Sequence, residues 1–367
     1  MRGVEIVKHG VVCSRPDSRF GYFGWPSIAR LGNGTLVAGA SGLRMGHLCP
    51  FGKTTLFFSR DEGETWTCPV VVNDTPLDDR DVGLLSLGGQ KLLLSWFNLE
   101  SRYYSRETGF FRTACGLTDD EYALALALTE RYPDAIDEKW AGSYTRVSCD
   151  GGVTWGPAHR SPVTAPHGPI LREDGALLYV GKEYGKKEGD GEIAAHLSRD
   201  EGATWEKLGV LPVPEGTALH NFHEPHAIDL GGGRIRALIR YQDYGRQNAH
   251  PDQFSMAQSV SADGGSTWSE MTLLSVSGSP PHLIRDASGA LVCVYARREA
   301  PFSERAMVSR DGGATWETDL ILREACDGDI GYPASVALAD GSILTVYYQH
   351  LTPGDKASIL STRWRLF

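Results

Sequence analysis

Six stretches of this 367-residue chain begin and end in side chains able to do chemistry. Their first residues are Trp25, Asp81, His167, Glu224, Pro281 and Tyr332. Near their ends lie Arg44 with His47, Asn98, Lys182 with Glu183, Arg240, Arg297 with Arg298, and Gln349. Carboxylates can trade protons, and histidine titrates near neutral pH. Arginine offers a planar, permanently charged fork that matches a carboxylate. A phenol with its ordinary pKa of about 10 is a poor nucleophile at neutral pH, but a neighbouring carboxylate base can activate it. Together these types suit acid–base or nucleophilic work on an anionic substrate, provided one fold gathers six equivalent segment ends.

The elements between them supply such a fold. Each stretch reads as an apolar strand, a turn around glycine and a second apolar strand, as in WPSIARLGNGTLVAGAS and YPASVALADGSILTVYY. Successive starts lie 56, 86, 57, 57 and 51 residues apart. Between the hairpins recurs the phrase Ser-x-Asp-x-Gly-x-Thr-Trp, from Ser59, Ser148, Ser198, Ser261 and Ser309. Its aspartate can accept backbone N–H groups, its glycine tolerates positive φ, and its tryptophan packs back over the hairpin. A third strand runs into each phrase and a fourth follows it. Four strands repeated six times predict an all-β, six-bladed β-propeller, with residues 1–367 as a single domain. The sixth blade lacks the phrase, and the strand around Val4 to Val12 is expected to close it. Propeller topology puts all first-strand starts and second-strand ends on one face. The longest insertion, residues 98–140 in blade two, carries Thr118 three residues before Glu121, a capping box that predicts a helix near that face. It reads either as a lid or as inert decoration, with Tyr103 and Tyr104 as a sugar-stacking strip.

Repeated Asp-boxes on six blades resemble the sialidase (neuraminidase) superfamily, and the resemblance spans essentially the whole chain. Asp-boxes also occur on propellers without enzymatic activity, so they bear on fold. The resemblance implies that Tyr332, in DIGYPASVAL, is a nucleophile. It makes Glu224, in HNFHEPHAIDL, the tyrosine's base partner, and Arg240 a clamp for the substrate carboxylate. Two positions depart from the family pattern. Gly24 stands two residues before Pro26, where sialidases carry an arginine, and the loop SGLRMGHLCPFGKTT holds no Asp or Glu where they place their general acid. His47 or Asp81 is therefore expected as the acid. Arg305 is the nearest candidate for the remaining clamp arginine, with Arg44, Arg297, His167 and Trp25 as further substrate-binding residues.

This reading implies a retaining exo-glycosidase acting on an acidic sugar, sialic acid or a uronic or otherwise modified acid. An oligosaccharide lyase using tyrosine and histidine on a uronate needs the same residues, and a non-catalytic glycan-binding propeller needs none of the chemistry. The excess of 46 acidic over 36 basic residues, net −10, argues against nucleic acid or an anionic membrane as partner. An acidic oligosaccharide or glycoside is the expected partner, with no cofactor. His220, His223 and His226 scatter when placed on a strand, so no metal site is expected. The chain shows neither an apolar run of membrane-spanning length nor a signal-peptide core. Its seven cysteines lack metal spacing, and together these features point to a reducing, cytoplasmic location.

Overall fold

The structure, a computed structural model, describes residues 3–106, 110–183, 191–243 and 254–367. Six antiparallel sheets stand around one axis. The inner strands are Tyr22–Arg30, Asp78–Gly88, the short pieces Val163–Thr164 and Ile170–Leu171, Phe222–Gly231, His282–Arg285 and Gly331–Ala337. The propeller closes as expected: Val4–Cys13 pairs antiparallel with Ser358–Leu366, with Val4 opposite Leu366. Blade three departs from the expected continuous first strand. Pro166 and Pro169 flank Gly168, whose φ is +77°, and prolines cannot donate to a ladder, so the inner strand breaks there.

The Asp-boxes share one geometry. In the box from Ser261, the Ser261 hydroxyl donates to Asp263 Oδ1 at 2.8 Å and accepts from the Gly265 amide at 2.8 Å. Asp263 also accepts from the Thr267 amide at 2.9 Å and its hydroxyl at 2.6 Å, and Trp268 Nε1 donates to the Gly265 carbonyl at 2.9 Å. The boxes from Ser59, Ser148, Ser198 and Ser309 repeat the Ser–Asp–Thr pattern. Each satisfies its turn internally and sends its tryptophan towards the space between blades. Trp268 joins Leu178, Ile235 and Ala257 in the apolar layer between blades three and four.

The insertion in blade two is helical. Thr118 caps helix Asp119–Thr129: its hydroxyl accepts from the Glu121 amide, and Glu121 accepts in turn from the Thr118 amide at 2.9 Å. Tyr104, Phe111, Leu117 and Ala125 pack against Met45, Leu48 and Cys49. The insertion therefore buttresses the blade-one loop that holds His47. Tyr104 is buried and donates to Asp78 Oδ2 at 2.5 Å. It is a structural strut, in contrast to the stacking surface expected of it. All seven cysteines are free, with Cys13, Cys49, Cys115 and Cys293 buried.

Trp268→Ala removes a buried indole from an interblade layer far from the rim. It is expected to destabilise the fold by about 3–5 kcal/mol, while the folded fraction keeps its ligand-binding properties. Denaturant unfolding paired with binding measurements on the native fraction checks this.

Candidate active site on the axial face

The backbone makes the same manoeuvre in four blades. Trp25, Asp81, Glu224 and Tyr332 occupy equivalent places near the start of the inner strand, with φ of +52°, +47°, +45° and +50°. Each lies at a register irregularity, within Gly24–Ser27, Arg80–Gly83, His223–His226 and Gly331–Ala334. A non-glycine residue in the left-handed region costs about 1–3 kcal/mol and persists only when its surroundings enforce it. Here the kink turns four large side chains off the sheets at one rim.

Three of the predicted residues meet there. Tyr332 donates from its hydroxyl to Glu224 Oε1 at 2.5 Å. Arg240 Nη1 donates to Glu224 Oε2 at 2.5 Å and to the Tyr332 oxygen at 3.1 Å, while its Nη2 reaches Gln242 Oε1 at 2.5 Å. Burial opposes ionisation of Glu224, but the Arg240 charge and the tyrosine's hydrogen bond hold its carboxyl below the ordinary value. Burial and the Glu224 charge push the Tyr332 phenol well above its ordinary value. Tyr332 thus faces a base that is ionised and already bonded to its proton.

Asp81 is buried beside this triangle. Burial raises its carboxyl to about 7, with Arg80 opposing and the Glu224 charge reinforcing the shift. Its Oδ1 is buried without a hydrogen-bond partner among the described residues. His47 lies on another wall, 5.0 Å from the Trp25 ring, with Nδ1 2.8 Å from Asp329 Oδ1. Burial lowers its imidazole despite the pull of Asp329. Asp329 also accepts from the hydroxyls of Tyr22 at 3.0 Å and Tyr348 at 3.1 Å. Burial works against its ionisation, yet the His47 hydrogen bond and the nearby His350 and Arg298 charges hold it well below the usual range.

The other expected site residues lie elsewhere or act differently. Arg44 is fully buried in an ion pair with Asp78 and bonds the carbonyls of Gly46 and His47. It organises the loop and presents no surface to a ligand. Arg305 is turned to the outer strand, held by Asp319 and Ser303. Arg297 donates to the Glu299 and Ala300 carbonyls of its own loop. His167 packs deeper on the axis, against His226 and His282. Trp25 is only 2% exposed and supports the guanidinium groups of Arg80 and Arg44, 4.2 and 4.8 Å from its ring centre. It is a pedestal, with no face left for stacking on a sugar.

Arg298 stands where Arg305 was expected. It shares the Phe254 ring with Arg240, at 5.4 and 5.5 Å, and its charge acts on Tyr332, Tyr348 and Asp329. Its neighbour in sequence, Arg297, ends the strand Leu291–Arg297 and turns to its own loop, whereas Arg298, just beyond the strand, shares the Phe254 ring with Arg240. Arg80 supplies a guanidinium over the ring of Trp25, the residue that follows Gly24. Asp329 lies three residues before Tyr332.

Residues 134–345, more than half of the chain, match the model of the BNR repeat-like domain. The chain belongs to the BNR repeat-like domain family. Among curated proteins none matches it. This BNR repeat-like propeller resembles a protein of unknown function from Dyadobacter fermentans, with TM-score 0.75, 20% identity and all of both chains covered. It also resembles the sialidase of Trypanosoma rangeli, with TM-score 0.64, 16% identity, 98% of this chain and 59% of that one. A third likeness is to a mutant α-L-arabinofuranosidase from Fusarium graminearum bound to an iminosugar inhibitor, with TM-score 0.63, 13% identity and 97% of each chain covered. At these identities the likeness is one of fold, and the fold is sialidase-like.

Because Asp81 is held protonated by burial, its carboxyl binds a proton in the folded state over a pH range where the unfolded chain does not. The stability this gives is full below about 4 and is lost as pH rises towards 7. Asp81→Asn should therefore melt close to wild type at acidic pH and be more stable by a few kcal/mol at mildly alkaline pH. Thermal denaturation of both proteins across that range reads the difference.

Proposed function

We propose that this protein is a retaining exo-glycosidase acting on the terminal sugar of an acidic glycan. The observation that carries the reading is the Tyr332–Glu224–Arg240 triangle, a phenol bonded to an ionised carboxylate with a guanidinium touching both. In the first step Tyr332 passes its proton to Glu224 as its oxygen attacks the anomeric carbon. The bond from that carbon to the leaving oxygen breaks, and Asp81 protonates the departing alcohol. In the second step Asp81, now a carboxylate, takes a proton from water as the water attacks the same carbon. The phenolate leaves and recovers its proton from Glu224. Arg240 stabilises the phenolate as charge develops on it. A tyrosine nucleophile is the recognised exception to the two-carboxylate rule of glycosidases, and its neutrality avoids repelling an anionic substrate.

Asp81 suits the acid role better than His47. A group poised near neutrality is protonated in the resting enzyme and can still give its proton away, whereas burial keeps the imidazole neutral. His47, fixed by Asp329, serves as a hydrogen-bonding wall for the sugar. Arg298 and Arg80 favour a substrate bearing a negative group. Arg298, whose guanidinium donates to the Gly328 carbonyl at 3.4 Å, takes the clamp role in place of Arg305.

Fluorogenic α-sialosides, β-glucuronides and neutral furanosides, assayed with wild type, Tyr332→Phe and Asp81→Asn, test the proposal. Hydrolysis of an acidic glycoside should fall by roughly a hundred- to ten-thousand-fold in each variant. The Asp81→Asn loss should be smaller for leaving groups that need no proton, and the wild-type rate should decline as pH rises through about 7. Arg298→Leu should raise KM for acidic substrates by roughly tenfold or more with a lesser effect on kcat. Turnover of neutral furanosides alone would remove the acidic-sugar reading. Ultraviolet absorbance of an unsaturated uronate would replace hydrolysis with elimination.

A further inference from the structure

Below the rim, the axis of the propeller carries three histidines that the proposed chemistry does not use. His167, from the break in the inner strand of blade three, and His226 and His282, from the inner strands of blades four and five, are 2%, 6% and 8% exposed. Their rings lie 4.8 Å (His167–His282), 5.7 Å (His167–His226) and 4.5 Å (His226–His282) apart, centre to centre. They line a cavity of about 500 Å³ that runs along the axis away from Glu224 and Tyr332.

The hydrogen bonds fix what two of these rings can offer. His226 Nδ1 accepts from the Leu283 amide at 2.9 Å, and His282 Nδ1 accepts from the Ser335 amide at 3.3 Å. Each bond ties one inner strand to the next. A neutral imidazole that accepts at Nδ1 carries its proton on Nε2. Both rings therefore present N–H donors and no lone pair to the cavity. A metal ion bound through Nε2 would need the proton on Nδ1, facing an amide N–H, which places donor against donor. His167, buried with neither ring nitrogen partnered among the described residues, adds a third ring able to donate. Burial keeps all three rings neutral.

The charges along the cavity favour an anion. Arg30 and Arg285 line it, Arg30 paired with Glu62 and Arg285 bonded to the Asp229 and Gly289 carbonyls. Asp229 is the one carboxylate lining it among the described residues, and it already accepts from the amides of Glu173 and Gly231 at 2.8 Å each. We propose that this stretch of the axis is a binding site for a small monovalent anion of the halide class, held by the ring N–H groups of His226, His282 and His167. The site is distinct from the Tyr332–Glu224 triangle and does not depend on the glycosidase reading.

The melting temperature of the whole chain, measured in sodium chloride, bromide and gluconate at equal ionic strength, tests the site. Halide should raise it by about 2 °C or more over gluconate, a bulky polyhydroxy anion that cannot seat among rings whose centres lie 4.5 to 5.7 Å apart. His167→Phe, which replaces an N–H-bearing ring with an apolar one, should abolish the difference. Bromide-soaked crystals of wild type should show an anomalous peak among the three rings, which keeps the test decisive if the variant fails to fold. Equal melting in all three salts with no axial bromide peak would overturn the proposal. So would stabilisation by zinc alone, because zinc requires the lone pairs that the amide hydrogen bonds exclude.

Discussion

A propeller gathers strand ends around an axis, but an ordinary strand sends alternate side chains into the spaces between blades rather than towards the axis. The left-handed residues Trp25, Asp81, Glu224 and Tyr332 break that alternation at one level of the rim. Without the kink, Glu224 and Tyr332, which belong to blades four and six, would project into separate interblade layers. With it, their oxygens meet at 2.5 Å. The strain is local, about 4–12 kcal/mol over the four residues, and is tolerated because the hairpins and Asp-boxes hold each blade from the far side.

The rim also departs from electrostatic comfort. Arg80, Arg240 and Arg298 crowd it, while Asp81 is neutralised by burial and Glu224 is occupied by Arg240 and Tyr332. The surplus is positive although the chain as a whole is strongly acidic. A local field of this kind concentrates an anion where the global charge would repel it. The helical insertion contributes indirectly. Tyr104 and Arg44 converge on Asp78, and the apolar cluster around Leu48 and Phe111 holds the loop that carries His47.

Nearly all of the fold was legible because its signals are local and repeated. A Ser-x-Asp-x-Gly-x-Thr-Trp phrase is a self-contained turn, and five of them interleaved with six hairpins leave little choice of architecture. The triangle was legible because it sits at the repeated boundary itself. Trp25, Glu224 and Tyr332 each precede a proline, which disfavours helical backbone at the residue before it and removes a ladder donor. That dipeptide marks the kink, and Asp81, followed by valine, shares the geometry without the mark. The arginines were harder to place. Arg44, Arg297, Arg298 and Arg305 look alike in sequence, and only the end of the strand at Arg297 and the position of Asp78 and Asp319 decide which of them reach the axis. Asp329 carries no sequence mark, since its partners Tyr22 and Tyr348 lie on other strands and His47 on the blade-one loop.

The closure of the ring has a bearing on how the molecule is made. Blade six takes its outermost strand from Val4–Cys13 and its neighbour from Ser358–Leu366, so Val4 must wait for Leu366 to emerge from the ribosome. Until that later strand is made the first has no partner, and an unpaired strand edge invites pairing with other chains. Its outward residues Ile6, Val7 and Val11 are exposed even in the finished ring, so nascent copies on one message are at risk of joining through it. Lys8 and His9 on the same strand place charge or polarity on that waiting edge, a guard of the kind that edge strands commonly carry.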